Sequence, residues 1–236
     1  MINKYLCSQN AVFVKDMVSG EILAKHNSDV PFPSASVIKL FILSYFADKE
    51  DFAIPVTRKD MVGTSIISEL KLKQVSLKDA LTFMISFSDN TATNLLINIA
   101  GMDEINRHIK EIGCKNTVLA RKMMDFKARE EGRDNYTSLE DCYTVMEILS
   151  ENAEAMEILS TQKCLERLGR YIYRNASLYT KPGDLGDVYN DVGIIITPDG
   201  SKMFAGVLTH GYDKSLAKRL CGKTGLVACK SETPVT

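Results

Sequence analysis

Ser36 and Lys39 carry the first chemistry that the sequence suggests. They lie in the run Ser36-Val37-Ile38-Lys39, so on a helix their side chains would share one face. A lysine in a desolvated site can lose its proton and activate a neighbouring hydroxyl as a nucleophile. The spacing alone is weak, because a helix-surface serine explains it equally well. The same Ser-x-x-Lys spacing also begins at Ser68, Ser160 and Ser215.

The context of Ser36 separates it from the other serines. It begins the most apolar stretch of the chain, residues 36–47, directly after the turn Pro31-Phe32-Pro33. An apolar stretch of this length predicts a buried helix. The N-terminus of such a helix points backbone N–H groups outward, as an oxyanion hole requires. The sequence therefore favours Ser36 as the nucleophile.

The run Ser88-Asp89-Asn90 occurs once, between the end of one predicted helix and the start of the next. All three residue types cap helices well, so helix capping is one interpretation. The other interpretation is catalytic. The Ser88 hydroxyl would relay a proton, and the Asn90 amide would hold a substrate.

Two Lys-x-Gly runs compete for a third role. Lys223-Thr224-Gly225 matches a Lys-Thr-Gly strand motif more literally, but only 11 residues follow it, too few for neighbouring strands. A phosphate-binding loop there would need glycine at position 217, which is Ala217. Lys181-Pro182-Gly183 instead follows a predicted strand and precedes a predicted hairpin. The sequence favours Lys181.

These runs occur in the order Ser-x-x-Lys, Ser-Asp-Asn, Lys-x-Gly, which resembles the penicillin-recognising serine hydrolases and most closely the class A β-lactamase family. Segment 32–39 looks like the nucleophile region of that family, and segment 84–96 is similar to its second motif. The resemblance covers nearly the whole chain. It implies an α/β domain built from both ends of the chain and an all-helical domain.

The resemblance also implies residue roles in catalysis. Ser36 would be the acylated nucleophile, and Lys39 would take its proton directly or through water. Ser88 would pass a proton to the leaving nitrogen.

Substrate binding is implied in the same way. Asn90 would hold the side-chain amide of the substrate, and Lys181 would attract its carboxylate. The oxyanion hole would combine the N–H of Ser36 with the N–H of Asp184, which follows Gly183.

Two residues depart from the family pattern at the third motif. Pro182 replaces a threonine, which removes a hydroxyl that meets the substrate carboxylate. Asp184 places a carboxylate beside the expected anionic end of a β-lactam, where it should repel the substrate. We therefore expect weak or narrow activity on β-lactams.

A third departure concerns the release of the acyl group. The Glu-x-x-Leu-Asn loop of the family is not present as such. Asp125 falls six residues after Leu119, where the deacylating glutamate of the family would fall. Asp125 is either the base that activates water or an ordinary loop carboxylate. Glu130 and Glu131 are the alternatives for the same role.

Periodicity places strands at both ends of the chain and helices between them. Segments 11–24 and 178–209 contain apolar runs with turn signals, and the signal is helical from about 58 to 168. The predicted class is α+β, an antiparallel sheet flanked by helices with an inserted all-helical domain, as in the β-lactamase/transpeptidase-like fold. The predicted sheet domain is 1–50 with 169–236, and the predicted helical domain is 51–168.

Composition narrows the function classes. The chain has 236 residues and a net charge of −1, which gives no electrostatic footprint for nucleic acid or an anionic membrane. The six cysteines form no CxxC pair and no zinc spacing with the three histidines. We expect a small-molecule substrate, no metal or cofactor, and a monomer. The N-terminal residues lack a secretory signal, which predicts a cytoplasmic protein, or a secreted one if a leader has been removed.

The sequence leaves three functions open. The first is a serine hydrolase that acts on β-lactam amides through an acyl-enzyme on Ser36. The second is a D-Ala-D-Ala peptidase or esterase on the same scaffold. The third is a penicilloyl-binding relative that is acylated at Ser36 and does not turn over.

Overall fold

A computed structural model of the chain describes residues 1–63, 65–172 and 176–230. Its strands are β1 (Asn10–Asp16), β2 (Ile22–His26), β3 (Phe32–Pro33), β4 (Ala53–Pro55), β5 (Gln74–Ser76), β6 (Tyr136–Thr137), β7 (Ser177–Leu185), β8 (Val188–Ile196) and β9 (Lys202–Thr209). Its helices are α1 (Lys39–Phe46), α2 (Ile66–Glu69), α3 (Leu77–Ser86), α4 (Asn90–Ala100), α5 (Met102–Glu111), α6 (Phe126–Glu130), α7 (Leu139–Ser150), α8 (Ala153–Ser160) and α9 (Lys214–Ala228). Short 3₁₀ turns lie at Asn3–Tyr5, Ala35–Ile38 and Leu168–Tyr171.

The main sheet is antiparallel and joins the two ends of the chain. Its strand order is β2-β1-β9-β8-β7, so β1 pairs with the late strand β9 as well as with β2. The run Pro198-Asp199-Gly200, whose residue types predict a turn, connects β8 and β9. Two small sheets pair β3 with β6 and β4 with β5. The predicted α+β class is confirmed, and the predicted domain boundaries stay a prediction.

The sheet is buried on both faces because alternate residues of its strands enter different apolar clusters. Phe13 of β1 packs into the cluster that contains α1, α3, α4 and α7. Its neighbours Val12 and Val14 pack into the cluster that contains α9. This is the period of two expected for a strand. The helical region therefore covers one face of the sheet, and α9 covers the other.

Helix α1 forms the centre of the helical region. Residues 40–43 are fully buried, as the all-round apolar sequence predicts. The structure divides the predicted helix 36–47 into the 3₁₀ turn Ala35–Ile38 and the α-helix Lys39–Phe46. The turn carries Ser36, and the first residue of α1 is Lys39.

Several helix ends carry sequence signals that predict them. Ser76 with Asp79 predicts a capping box, which forms at the start of α3. Gly101 predicts a helix end, and α4 ends before it. Ser138 predicts a helix start, and it caps α7. Two predictions from the sequence were incomplete. The polar stretch 119–135, with Gly132 and many charges, predicts a long loop, but it contains α6. The sequence predicts a last helix at about 213–220, but α9 extends to Ala228. Within the described ranges, no helix combines the length and the hydropathy needed to cross a bilayer.

Candidate active site

Ser36 lines a cleft between the helical region and the edge strand β7. The 3₁₀ turn places it between two adjoining pockets. The larger pocket, about 540 Å³, is also lined by Ser88, Asn90, Pro182 and Asp184. The structure therefore brings residues of all three predicted motifs to one cleft.

Lys39 lies beneath this cleft and is fully buried. Its Nζ donates to Ser88 Oγ at 3.0 Å, to the Ser88 carbonyl at 2.8 Å and to Asn90 Oδ1 at 3.0 Å. Burial lowers the pKa of Lys39 well below its usual value, and the positive charge of Lys181 lowers it further. A neutral amine at this position could accept a proton.

Lys181 approaches the same hydroxyl from β7. Its Nζ lies 3.2 Å from Ser88 Oγ and donates to the Pro182 carbonyl at 2.9 Å. Burial lowers the pKa of Lys181 to about 7, although Asp191 opposes the shift. Because the Nζ atoms of both lysines contact Ser88 Oγ, repulsion disfavours the state in which both are protonated.

The residues of the predicted Ser88-Asp89-Asn90 motif make two kinds of contact, one at a helix end and one beneath the cleft. Asp89 is 2% exposed and caps α4 by accepting from the Ala92 N–H at 2.9 Å. Asp89 also accepts from the Ile66 N–H at 2.7 Å. Ser88 and Asn90 instead contact Lys39. The capping interpretation thus applies to Asp89, and the catalytic roles of Ser88 and Asn90 stay a prediction.

Three non-glycine residues that line the cleft have positive φ. The angles are +45° at Ala35, +56° at Ser88 and +65° at Met124. This conformation is costly for residues with a Cβ and persists where the surroundings determine it. At Ser88, the bond from Lys39 to the carbonyl holds the conformation.

Gly183 allows β7 to approach the turn that carries Ser36. A Cβ at Gly183 would lie 2.9 Å from the Ser34 carbonyl oxygen, closer than real Cβ atoms come, and 3.0 Å from the Ser36 nitrogen, which is a tight contact. The absence of a side chain therefore brings the Gly183–Asp184 peptide against Ser36. Pro182 is accommodated because β7 is an edge strand of the sheet.

The charge of Asp184 is compensated in the structure. Its Oδ2 lies 3.3 Å from Arg167 Nη2 and 3.4 Å from Lys214 Nζ. The repulsion of a substrate carboxylate predicted for Asp184 is therefore reduced by two cations. Sequence reasoning missed Arg167, because no motif marks it. The guanidinium is brought to β7 by the 3₁₀ turn that follows Arg167.

Asp125 lies outside the cleft-lining residues. Its side chain is exposed and caps α6 by accepting from the Ala128 N–H at 3.0 Å. Glu130 and Glu131 are also exposed, and Glu131 pairs with Arg133. The structure does not bring any of these three carboxylates beside Ser36, and the role predicted for Asp125 stays a prediction.

The same loop presents Met123 to the cleft instead. Met123 lines a pocket with Ser36, and its backbone is held on both sides by the Asn94 amide. The Met123 N–H donates to Asn94 Oδ1 at 2.8 Å, and Asn94 Nδ2 donates to the Met123 carbonyl at 3.1 Å. Met124 and Phe126 extend this wall. These three side chains are apolar, and Arg121 and Asn135 add polar groups to the same pocket.

Lys223 belongs to a different part of the molecule. It lies within α9, and its Nζ is 5.7 Å from the centroid of the Tyr171 ring. Of the two predicted Lys-x-Gly runs, the structure places Lys181 against Ser88, beneath the cleft, and Lys223 on the far face of the sheet.

The five-stranded antiparallel sheet, the helical region and the serine between them define a protein of the β-lactamase-like class. A sequence model described as the beta-lactamase enzyme family matches residues 1–230, and the chain belongs to that family. The extended-spectrum beta-lactamase PER-1 of Pseudomonas aeruginosa is 24% identical over 217 residues, which cover 78% of this chain and 69% of PER-1.

Solved structures show the same fold. A beta-lactamase from Chitinophaga pinensis superimposes with a TM-score of 0.86 at 18% identity, over 97% of both chains. PBP-A superimposes with a TM-score of 0.81 at 22% identity, over 97% of this chain and 91% of PBP-A. At these identities the likeness concerns the fold.

Proposed function

We propose that this chain is a serine hydrolase of the class A β-lactamase type, which opens β-lactam amides through an acyl-enzyme on Ser36 and releases the product slowly. The observation that carries the proposal is the buried Lys39, bonded to Ser88 and Asn90 beneath the cleft that Ser36 lines. Family membership supports a hydrolase of this type.

In the proposed acylation step each group of the three motifs has one role. Ser36 Oγ attacks the lactam carbonyl carbon, and its proton passes to the neutral amine of Lys39. The N–H groups of Ser36 and Asp184 stabilise the oxyanion. When the carbon–nitrogen bond breaks, the nitrogen takes a proton from Ser88. Lys39, 3.0 Å from Ser88 Oγ, returns the proton to Ser88.

Substrate binding relies on positive charge near the third motif. Lys181 in its protonated form attracts the substrate carboxylate, and Arg167 lines the same pocket. Pro182 contributes no hydroxyl there. These features support β-lactams as ligands and a binding site with fewer polar contacts than the family pattern provides.

Slow release follows from the wall opposite β7. Hydrolysis of an acyl-enzyme needs a base to activate water, and Met123, Met124 and Phe126 occupy the wall beside Ser36. One structural relative, a PBP-A variant, is described as an acyl-enzyme complex with penicillin G. That description supports an acyl-enzyme as a state that this fold can hold.

A second candidate function follows from the same apolar wall. If no side chain activates water, an amine or alcohol acceptor could take the acyl group from Ser36. The chain would then act as a D-Ala-D-Ala peptidase or esterase, or as a penicilloyl-binding protein when no acceptor is present.

Intact-mass measurement with benzylpenicillin, followed by peptide mapping, tests the proposal. We expect an adduct on Ser36 in the parent and in Ser68→Ala, and none in Ser36→Ala. Parallel assays with a chromogenic cephalosporin should show slow turnover. Rapid turnover without an adduct would contradict slow release, and an adduct that persists in Ser36→Ala would overturn the nucleophile assignment.

A further inference from the structure

Arg167 contacts the backbone of the strand that flanks Ser36. Its side chain is 8% exposed, and its Nη1 donates to the Gly183 carbonyl at 2.8 Å and to the Asn190 carbonyl at 2.9 Å. Gly183 and Asn190 are paired positions of β7 and β8. One nitrogen thus joins two adjacent strands at the level of the cleft.

The Gly183 carbonyl belongs to the same peptide group as the Asp184 N–H. The described residues contain no cis peptide, so this carbonyl and this N–H point in opposite directions from a rigid plane. Arg167 holds the carbonyl on the side toward β8. The Asp184 N–H is therefore directed away from β8, toward the side of β7 on which the described residues pair no further strand. The adjoining Gly183 lies against the backbone of Ser34 and Ser36.

A charged donor on the carbonyl also strengthens the N–H as a donor. Hydrogen bonds in a chain polarise one another in a low-dielectric interior, and bonds from a guanidinium are stronger than neutral ones. The contact from Arg167 can both orient the Asp184 N–H and increase its ability to stabilise negative charge.

The position of Arg167 is itself fixed. The next residue, Leu168, donates its N–H to the buried Asp191 carboxylate at 3.0 Å. The Arg167 guanidinium stacks on the Tyr189 ring, 3.9 Å from its centroid.

The side chain of Asn190 connects β8 to the segment that leads into the Ser36 turn. Its side chain is fully buried, and Nδ2 donates to the Pro33 carbonyl at 2.9 Å, while Oδ1 accepts from the Thr209 N–H at 2.8 Å. Pro33 precedes the turn that carries Ser36. The turn and the Gly183–Asp184 peptide are thus tied to one residue of β8, through its side chain and through the Arg167 bond to its carbonyl.

We infer that Arg167 is a positioning residue of the oxyanion hole, which acts by holding and polarising the Gly183–Asp184 peptide. The inference rests on the proposed function, in which the Asp184 N–H is an oxyanion donor. If this inference is correct, replacing Arg167 weakens the binding even of ligands that carry no carboxylate. If Arg167 instead formed an ion pair with the substrate carboxylate, such ligands would be unaffected.

Phenylboronic acid is a suitable probe because it is neutral and has no carboxylate. It forms a B–O bond with Ser36 Oγ, and the serine proton leaves to solvent, which gives a tetrahedral anion with an oxygen in the oxyanion hole. We expect Arg167→Gln to weaken the binding of phenylboronic acid by about tenfold to a hundredfold. This loss would not exceed that caused by removing one donor of an oxyanion hole. Arg167→Lys should recover part of the loss, because it keeps the charge with a single nitrogen.

One variant serves as a control. Arg170→Gln removes an exposed arginine from the 3₁₀ turn that follows Arg167. It should bind phenylboronic acid as the parent does. In benzylpenicillin labelling, Arg167→Gln should lower the acylation rate constant at saturation more than it weakens the initial non-covalent binding.

Opposite outcomes overturn the inference. If Arg167→Gln binds phenylboronic acid like the parent and weakens only the non-covalent binding of penicillin, Arg167 acts as a carboxylate anchor. A parent that neither binds the boronic acid nor is acylated would refute the proposed function instead. In that case the amide proton signal of Asp184 in the free protein still tests the contact. Arg167→Gln must shift that signal, Arg170→Gln must leave it in place, and an unmoved signal in Arg167→Gln refutes the inference.

Discussion

At the scale of single residues, the hydroxyl of Ser88 between two buried lysines determines how the site titrates. Ser88 Oγ lies 3.0 Å from Lys39 Nζ and 3.2 Å from Lys181 Nζ. The proposed mechanism needs Lys39 neutral as a base and Lys181 protonated as a cation. Because both pKa values are lowered by burial, the two requirements are met together only over a limited pH range.

We predict that acylation by benzylpenicillin falls as the pH rises through about 7, the pKa of Lys181. Above that pKa, Lys181 loses the charge that attracts the substrate carboxylate. Arginine stays protonated, so Lys181→Arg should lack this alkaline limb, even if its rate is lower at every pH. The measurement is the second-order labelling rate constant from about pH 5 to pH 9. A parent profile that is flat through neutral pH would count against the assignment.

Met123 offers a second prediction at this scale. Its backbone is fixed by Asn94 and its side chain lines the cleft beside Ser36. A carboxylate placed there should activate water, so Met123→Glu should shorten the lifetime of the penicilloyl adduct by about 10²-fold, a typical contribution of a positioned base.

The matched control is Met123→Gln, which has a similar size and no basic oxygen. Its adduct should live as long as that of the parent, as followed by intact mass over time. Equal acceleration by both variants would show that the effect comes from polarity or loosened packing. Asp125→Asn should leave the adduct lifetime unchanged if the exposed cap on α6 takes no part in release.

The spacing of the sequence motifs predicted four of the residues around the cleft, namely Ser36, Lys39, Ser88 and Lys181. It did not predict Arg167 or Asn190, because these side chains contact backbone carbonyls on other elements. A bond to a carbonyl places no demand on local sequence pattern, so only the tertiary structure reveals it. The sequence also assigned a carboxylate to the loop by position, whereas the local fold uses Asp125 as a helix cap.

At the scale of elements, the separation between β7 and the Ser36 turn is set by a single missing Cβ. We predict that Gly183→Ala reduces acylation by about tenfold to a hundredfold, since its Cβ would meet Ser34 and Ser36 backbone atoms and misplace the oxyanion donors. The measurement is labelling by benzylpenicillin, with the melting temperature recorded in parallel.

Gly186→Ala is the control for stability. Gly186 has a φ of +61°, and a Cβ at this position would meet no other atom within 4 Å, so alanine there should cost about 1 kcal/mol of folding free energy through backbone strain. Its labelling should stay near that of the parent. Equal loss of labelling in both variants would show that general destabilisation of β7 explains the effect of Gly183→Ala.

The observed ends of the helices show which sequence signals predicted helix boundaries correctly. Caps with local side-chain chemistry, such as Ser76 with Asp79, predicted helix starts correctly. The predicted last helix ends at about residue 220, whereas α9 continues through Gly222 and Gly225 to Ala228. In the structure these glycines lie within α9 where it contacts the 168–172 segment, so close packing outweighs their low helix propensity.

At the scale of the whole molecule, α9 connects the far face of the sheet to the cleft. A Cβ at Gly225 would lie 2.0 Å from the Leu168 carbonyl oxygen, and Leu168 follows Arg167. We predict that Gly225→Ala lowers the free energy of unfolding by about 1–3 kcal/mol and also slows acylation, by displacing Arg167. Urea unfolding and labelling by benzylpenicillin measure the two effects.

Lys223→Ala is the neighbouring control on α9. Its side chain contacts the Tyr171 ring at the surface, so its stability should stay within about 0.5 kcal/mol of the parent, with unchanged labelling. If Gly225→Ala loses stability and keeps full labelling, α9 supports the fold without influencing the cleft.

The pairing of β1 with β9 has a consequence for synthesis of the chain. Asn10 pairs with Thr209, so the first strand emerges from the ribosome long before its central partner exists. During that interval one edge of the β1–β2 hairpin has no partner strand, and Ser36 lacks both β7 and the α9-supported arginine. A nascent chain stalled before β7 should therefore be inert toward penicillin and dependent on chaperones, and reactivity should appear only after the last strands and α9 have emerged.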